Sequence, residues 1–320
     1  MKILITGASG FVGQALISTL KKNKEYQLYT LLRKKNSEFS SDICQIILQK
    51  NTDEPFKSEV FNTNDIDIVI HLAGRAHILN ENVENPLQEF RKVNAKGTLE
   101  LAKQALENKV KRFIFISSIG VNGSSTNGKA FSEQDVPQPH ADYAVSKLEA
   151  EIALQELFVG TETELVIIRP PLVYAAHAPG NFARFIKLAS KNIPLPFVGV
   201  NNKRTFVALE NLVDFIRTCI KHPDAANQTF LVADKNSIST RELVQYLKQG
   251  MGKSARFIYI PQPLMKLGAA CIGKSKVYEQ LFGSLEVDTT KAQNILGWTA
   301  PLTTKQAMLQ AGQNYLKMKE

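Results

Sequence analysis

The chain has 320 residues, 44% of them hydrophobic and 22% charged, which is enough apolar material for a large α/β unit and excludes a disordered polar chain. Its formal charge is +9, yet the basic residues are scattered in short runs such as Arg33-Lys34-Lys35 and are not interleaved with aromatic residues. That pattern argues against nucleic acid as a partner and leaves attraction for phosphorylated ligands as the functional use of the charge.

The first predicted element is a strand, Lys2–Thr6. It runs into Thr6-Gly7-Ala8-Ser9-Gly10-Phe11-Val12-Gly13 and then a helix over Val12–Lys22. Gly7 suits a tight turn, Gly10 lets backbone approach a pyrophosphate, and Gly13 lets the helix pack closely on the strand. The helix start then offers free N–H groups to the phosphates. Gly7, Ser9, Gly10, Phe11, Val12 and Gly13 are therefore candidate dinucleotide-binding residues.

A second strand is predicted at Gln27–Arg33. An acid at its end would hold the adenosine ribose of NAD, but none occurs before Glu38. Arg33 and Lys34 suit a ribose 2′-phosphate instead, so NADP(H) is favoured over NAD(H). Strands follow at Ile43–Leu48, Ile68–Leu72, Arg112–Ser117 and Glu164–Arg169, with helices at Pro86–Asn108 and Ala141–Phe158. Consecutive apolar positions such as Phe113-Ile114-Phe115-Ile116 read as strands buried on both faces. The alternation predicts an α/β fold, a doubly wound parallel sheet of the Rossmann type.

After Arg169, prolines punctuate a loop-rich stretch. A strand is expected at Thr205–Leu209 and another at Thr229–Val232, with helices at Asn181–Lys191, Glu210–Lys221, Thr240–Gly250, Pro263–Ile272, Thr289–Leu296 and Thr303–Lys317. We expect a dinucleotide-binding domain over residues 1–170, joined by later segments near 205–235, and a mainly substrate-binding lobe over 171–320.

Tyr143 and Lys147 sit four apart on one helix face. The neighbouring ammonium and a cationic nicotinamide would lower the phenol's pKa and equip it for proton transfer. Ser118 lies where a buried strand ends, the place at which open α/β sheets bind ligands. Together with His71-Leu72-Ala73-Gly74, Val93-Asn94-Ala95-Lys96-Gly97-Thr98 and Arg169-Pro170-Pro171-Leu172-Val173-Tyr174, these motifs resemble the extended short-chain dehydrogenase/reductases, the NAD-dependent epimerase/dehydratase group. The resemblance implies a catalytic set of Ser118, Tyr143 and Lys147, with Leu72, Ala73, Gly74, Asn94, Tyr143, Lys147 and Pro170 lining the cofactor.

It also implies chemistry at C4 of a UDP-sugar. A 4,6-dehydratase would carry an acid after Ser118, where this chain has Ile119 and Gly120. The basic second-strand end favours a reductase, and the segments His71–His77, Ser118–Gly123 and Asn201–Arg204 resemble a bacterial polysaccharide subgroup whose members include 4-reductases of a UDP-4-keto-6-deoxy-hexosamine forming UDP-N-acetylquinovosamine, which is the activity expected here. The alternatives are a UDP-glucose or UDP-N-acetylglucosamine 4-epimerase and, in another class, a non-catalytic NADP(H)-sensing regulator. Asn181, Phe197 and Arg204 are the candidate sugar-nucleotide contacts, as helix-start amide, base platform and diphosphate clamp. The chain departs from the family pattern at Thr205, Ala208 and Ala175.

No metal site is expected, since Cys44, Cys219 and Cys271 lack ligand spacing and His71 and His77 have no third partner. No leader-like or membrane-inserting stretch is evident, so a cytoplasmic protein is expected. The apolar faces of Pro86–Asn108 and Ala141–Phe158 suggest a homodimer.

Overall fold

The computed structural model describes residues 1–48, 56, 61, 65–76 and 85–319. Among the described residues, seven strands form the main sheet: β1 (Lys2–Thr6), β2 (Gln27–Leu32), β3 (Cys44–Ile47), β4 (Ile68–His71), β5 (Arg112–Ile116), β6 (Glu164–Arg169) and, after the short pair β7 (Val173–Tyr174) and β8 (Val207–Ala208), β9 (Gln228–Leu231). Their order is β3-β2-β1-β4-β5-β6-β9, and every pairing is parallel. The chain winds outward from β1 in one direction and from β4 in the other. The crevice beyond the carboxyl ends of β1 and β4 is thus the switch point where such sheets bind ligands.

The consecutive apolar runs have a simple cause. Ile3, Ile5, Ile70, Ile114, Val166 and Ile168 fill one side of the sheet, against α1 (Phe11–Leu20) and α6 (Leu209–Lys221). Leu4, Val69, Phe113, Phe115, Leu165 and Ile167 fill the other, against α3 (Gly97–Glu107) and α4 (Asp142–Phe158). Both faces are dry, so apolar side chains are needed at both parities of residue.

Three expectations are altered. Strand β2 stops at Leu32 rather than Arg33, because Arg33, Lys34 and Lys35 are all exposed. The helix expected over Pro86–Asn108 is interrupted: α2 (Pro86–Phe90) passes through a π-helical turn, Arg91–Lys96, before α3 begins. The strand expected over Thr205–Leu209 shrinks to β8, since Thr205 bonds outward to Leu285.

The second lobe gathers around Tyr174, Phe182, Phe206, Leu243, Leu247 and Met308. Its helices are α5 (Gly180–Ser190), α7 (Thr240–Gly250), α8 (Gln262–Cys271), α9 (Ser275–Phe282) and α11 (Thr304–Lys317), whereas α10 (Thr290–Leu296) packs Ala292 and Leu296 into the core of the main sheet. Capping boxes at Ser239/Glu242 and Thr303/Gln306 fix the starts of α7 and α11. Asp234 accepts from Tyr174 Oη (2.7 Å), Ala208 N–H (2.9 Å) and Asn211 Nδ2 (2.7 Å), tying β7, β8 and α6 to the end of β9.

Candidate active site

The glycine turn is built by close backbone contacts. Gly7 has φ +67°, and a Cβ there would lie 2.6 Å from the Ala73 nitrogen. A Cβ at Gly13 would lie 2.2 Å from the Gly7 carbonyl oxygen. Gly10 caps α1 with no side-chain bond, so the first N–H groups of that helix point into the crevice beside exposed Ser9 and half-buried Phe11 and Val12. Such an end attracts anions. Gly13→Ala should cost roughly 1–3 kcal/mol of stability and weaken dinucleotide binding by about tenfold, read by thermal melts and fluorescence titration. Full affinity in that variant would contradict the packing role.

Behind this turn lies a relay that sequence reasoning missed. The buried His71 ring meets Thr6 Oγ1 through Nδ1 (2.6 Å) and Thr98 Oγ1 through Nε2 (2.9 Å). Thr98 gives its own proton to the Asn94 carbonyl (2.7 Å), so the imidazole must donate from Nε2 and accept at Nδ1. Burial first, then Lys147, hold His71 well below its usual value of 6.5. The unfolded chain therefore takes a proton near pH 6.5 that the fold refuses, and stability falls as pH drops below that point. In His71→Gln this part of the acid slope should vanish from denaturant titrations at pH 5 and 7.

Asn94 occupies the π-helical turn, fully buried. Its Oδ1 accepts from Arg75 N–H (2.7 Å), and its Nδ2 donates to the Arg75 carbonyl (3.1 Å) and Ser146 Oγ (3.0 Å). These bonds draw the turn inward, which accounts for the break in the helix. Asn94 thus holds the Gly74-Arg75 loop against α4. Leu72 and Ala73 approach from β4, each with its N–H on Thr6.

The three chemistry-bearing side chains converge at the carboxyl end of β5. Ser118 Oγ accepts the Gly120 N–H (3.1 Å), which leaves its own proton for another oxygen. A Cβ at Gly120 would sit 3.2 Å from the Ala144 methyl, so the Ser118 turn lies on the first turn of α4, beside Tyr143. Pro170 accepts the Ile119 N–H (2.9 Å) and clamps the same turn to β6. The Tyr143 ring stands edge-on to Phe90, with centroids 6.2 Å apart.

Lys147 is buried, donates to the Ile116 carbonyl (2.9 Å) and rests over the Phe115 ring (4.5 Å). Burial lowers its pKa to about 8, against an upward pull from Glu151. A Cβ at Gly74 would lie 3.4 Å from its Nζ and 3.2 Å from Asn94 Oδ1. For Tyr143, burial in the protein chain pushes the phenol up to about 12, whereas the expected lowering rests on Lys147 together with a cationic nicotinamide. In this structure Tyr143 is a proton donor at neutral pH.

Sequence reasoning also missed the buried ion pair beneath this set. Arg169 grips Glu151 (Nε to Oε1 3.0 Å) and reaches Asn122 Oδ1 (2.9 Å), joining β6 to α4 and to the Ser118 turn. The signal was present as spacing, because Tyr143, Lys147 and Glu151 recur every four residues.

On the second lobe, α5 begins at Gly180 after Pro179, so Asn181 is not the cap, and no side chain among the described residues caps that end. Phe197 is 2% exposed, packed between Phe257 and Phe282, and is core rather than an open base platform. The half-buried Arg204 donates to the Gly283 carbonyl (3.0 Å), and no carboxylate pairs with it among the described residues. Thr205 Oγ1 accepts from Val287 N–H (3.1 Å) and buried Ala175 packs against the sheet. His77 lies outside the described residues, and no metal-ligating cluster occurs among those described.

Residues 3–233 match the model of the NAD dependent epimerase/dehydratase family. A UDP-glucose 4-epimerase of Vibrio cholerae is 40% identical over 320 residues, covering 98% of this chain and 95% of its own. The fold matches UDP-glucose 4-epimerase with UDP-glucose from Thermotoga maritima (TM-score 0.78, 20% identity, all of both chains). It also matches UDP-glucuronic acid 4-epimerase from Bacillus cereus in complex with NAD (TM-score 0.76, 22% identity, 99% of both chains). With the glycine turn, the switch-point crevice and the Ser118, Tyr143 and Lys147 set in place, the chain belongs to the NAD dependent epimerase/dehydratase family.

Proposed function

We propose that the protein is a 4-epimerase of a UDP-linked hexose or N-acetylhexosamine. The observation that carries this reading is the 40% identity, over nearly the whole chain, to the Vibrio cholerae UDP-glucose 4-epimerase. It outweighs the 4-reductase expected from the basic β2 end.

The glycine turn, the start of α1, Gly74 and Lys147 form a cradle that fits a dinucleotide. When bound, that cofactor supplies the hydride chemistry at sugar C4. The chain's own residues manage the proton on O4. Tyr143 gives or takes it, Ser118 holds O4 by donating its free hydroxyl proton, and Lys147 places positive charge below the pair. Asn94 and the Glu151–Arg169 pair keep this set in register. Arg204, lacking a carboxylate partner among the described residues, clamps the substrate diphosphate, and Asn181 approaches it from the start of α5.

A structural relative carries NAD, whereas Arg33 and Lys34 stand exposed beyond β2 with no acid before Glu38. The second observation favours NADP(H). If these cations meet a 2′-phosphate, Arg33→Ser/Lys34→Ser should weaken NADP(H) binding by about tenfold and leave NAD(H) within about twofold. Equal losses for both would remove that role. A homodimer through the α3/α4 pair completes the proposal, with light scattering expected to return the mass of two chains.

The test is to incubate the purified protein with UDP-glucose and UDP-N-acetylglucosamine, and separately with a UDP-4-keto-6-deoxy-hexosamine plus NADPH or NADH. Formation of the C4 epimer without net change at 340 nm supports the epimerase. Stoichiometric loss of absorbance with the keto sugar alone would assign the 4-reductase. No turnover of any of them, with the dinucleotide still bound, would favour a non-catalytic sensor.

A further inference from the structure

Helix α8 is unusual in having no buried residue. Leu264 is 60% exposed and Leu267 62%, and with Cys271 they fall at i, i+3 and i+7, one face of the helix. Ile272, which caps the helix, and Tyr259, shortly before it in the sequence, are also 71% and 69% exposed. A helix of 10 residues is marginal in water by itself, and this one turns its largest apolar side chains outward.

The charge around it is one-sided. Between Gly250 and Tyr278 there is no Asp or Glu, while Lys253, Arg256, Lys266, Lys274 and Lys276 all occur. This stretch thus carries five of the chain's nine net positive charges. Lys253, Arg256, Lys266 and Lys274 are exposed. Apolar side chains on one helical face, in a stretch of sequence whose only charged residues are basic, suit the boundary of a bilayer bearing negative headgroups. At a rise of about 1.5 Å per residue, α8 is far too short to cross a membrane.

We propose that α8 and its flanking segments dock the protein on an anionic membrane surface, with Leu264, Leu267 and Ile272 entering the acyl boundary and the lysines meeting lipid phosphates. This goes beyond the epimerase reading and does not rest on it. The docked face adjoins the second lobe: Phe257 and, on α9, Phe282 both pack on Phe197. Docking would hold the Arg204 side of the crevice close to the bilayer.

The full chain should sediment with vesicles of phosphatidylglycerol and phosphatidylcholine at least about tenfold more than with phosphatidylcholine alone, and release at high salt. Lys266→Gln and Lys274→Gln should each lower binding by about fivefold. Leu264→Asp/Leu267→Asp should abolish it while circular dichroism and turnover of a soluble UDP-sugar stay unchanged. Absence of binding to either vesicle, or equal binding to both, would overturn the proposal. So would a dimer that the Leu264→Asp/Leu267→Asp variant dissociates while the vesicles stay bare, since that assigns the face to a second copy of the chain.

Discussion

Replacing Tyr143 by Phe should lower kcat by about a thousandfold and leave the dinucleotide Kd within about twofold, because general acid–base catalysis contributes roughly that much. The substitution removes one hydroxyl and keeps the ring edge that packs on Phe90. Lys147 should keep its bond to the Ile116 carbonyl. The accompanying pH dependence separates two effects. Lys147 loses its proton near pH 8 in the fold and near 10.5 in the unfolded chain. Its charge is penalised by burial, so this residue adds stability as pH rises between those values. Activity that depends on the ammonium should instead fall as pH passes above about 8. An alkaline loss of turnover unaccompanied by a loss of melting temperature is the expected signature, and Lys147→Met should remove it along with most activity.

The second large effect lies beneath the site. Glu151→Ala should destabilise the fold by about 3–5 kcal/mol, since it strands a buried guanidinium. At about 2–4 °C per kcal/mol, the melting temperature should drop by roughly 10 °C. Both side chains are buried, 1% and 7% exposed, so solvent does little to screen the loss. Arg169→Met alone should cost a similar amount. Glu151→Leu/Arg169→Met together should recover most of it, because no unpaired charge remains. A single-variant loss below about 1 kcal/mol would mean that water reaches the pair after all.

The sheet was readable because its strands are dry on both faces. Ile3-Leu4-Ile5 and Phe113-Ile114-Phe115-Ile116 can be little else between helices of amphipathic pattern. The glycine turn was readable because Gly7 and Gly13 each face backbone that tolerates no Cβ. The π-helical turn was not, since its cause is Asn94 bonding to Arg75 and Ser146, 19 and 52 residues away. The same holds for His71, whose tautomer depends on Thr6 and Thr98 meeting across β4. Phe197 misled because an aromatic residue in a loop reads alike whether it faces a ligand or, as here, Phe257 and Phe282. The rise of the Tyr143 phenol was not legible, because spacing places Lys147 on the same face but says nothing of how deeply the fold buries the ring. Helix α9 went unanticipated, since it is short, has no side-chain cap among the described residues, and its apolar residues Tyr278, Leu281 and Phe282 are only half-buried.

The most direct test of the central claim follows hydrogen at C4 during turnover in deuterium oxide. If Ser118, Tyr143 and Lys147 serve a reaction in which the C4 hydride leaves and returns without meeting solvent, proton NMR will show the epimer forming with its C4 hydrogen intact, and Tyr143→Phe will form it about a thousandfold more slowly. Deuterium at C4 of the product, or epimer formed at an undiminished rate by Tyr143→Phe, would contradict the account.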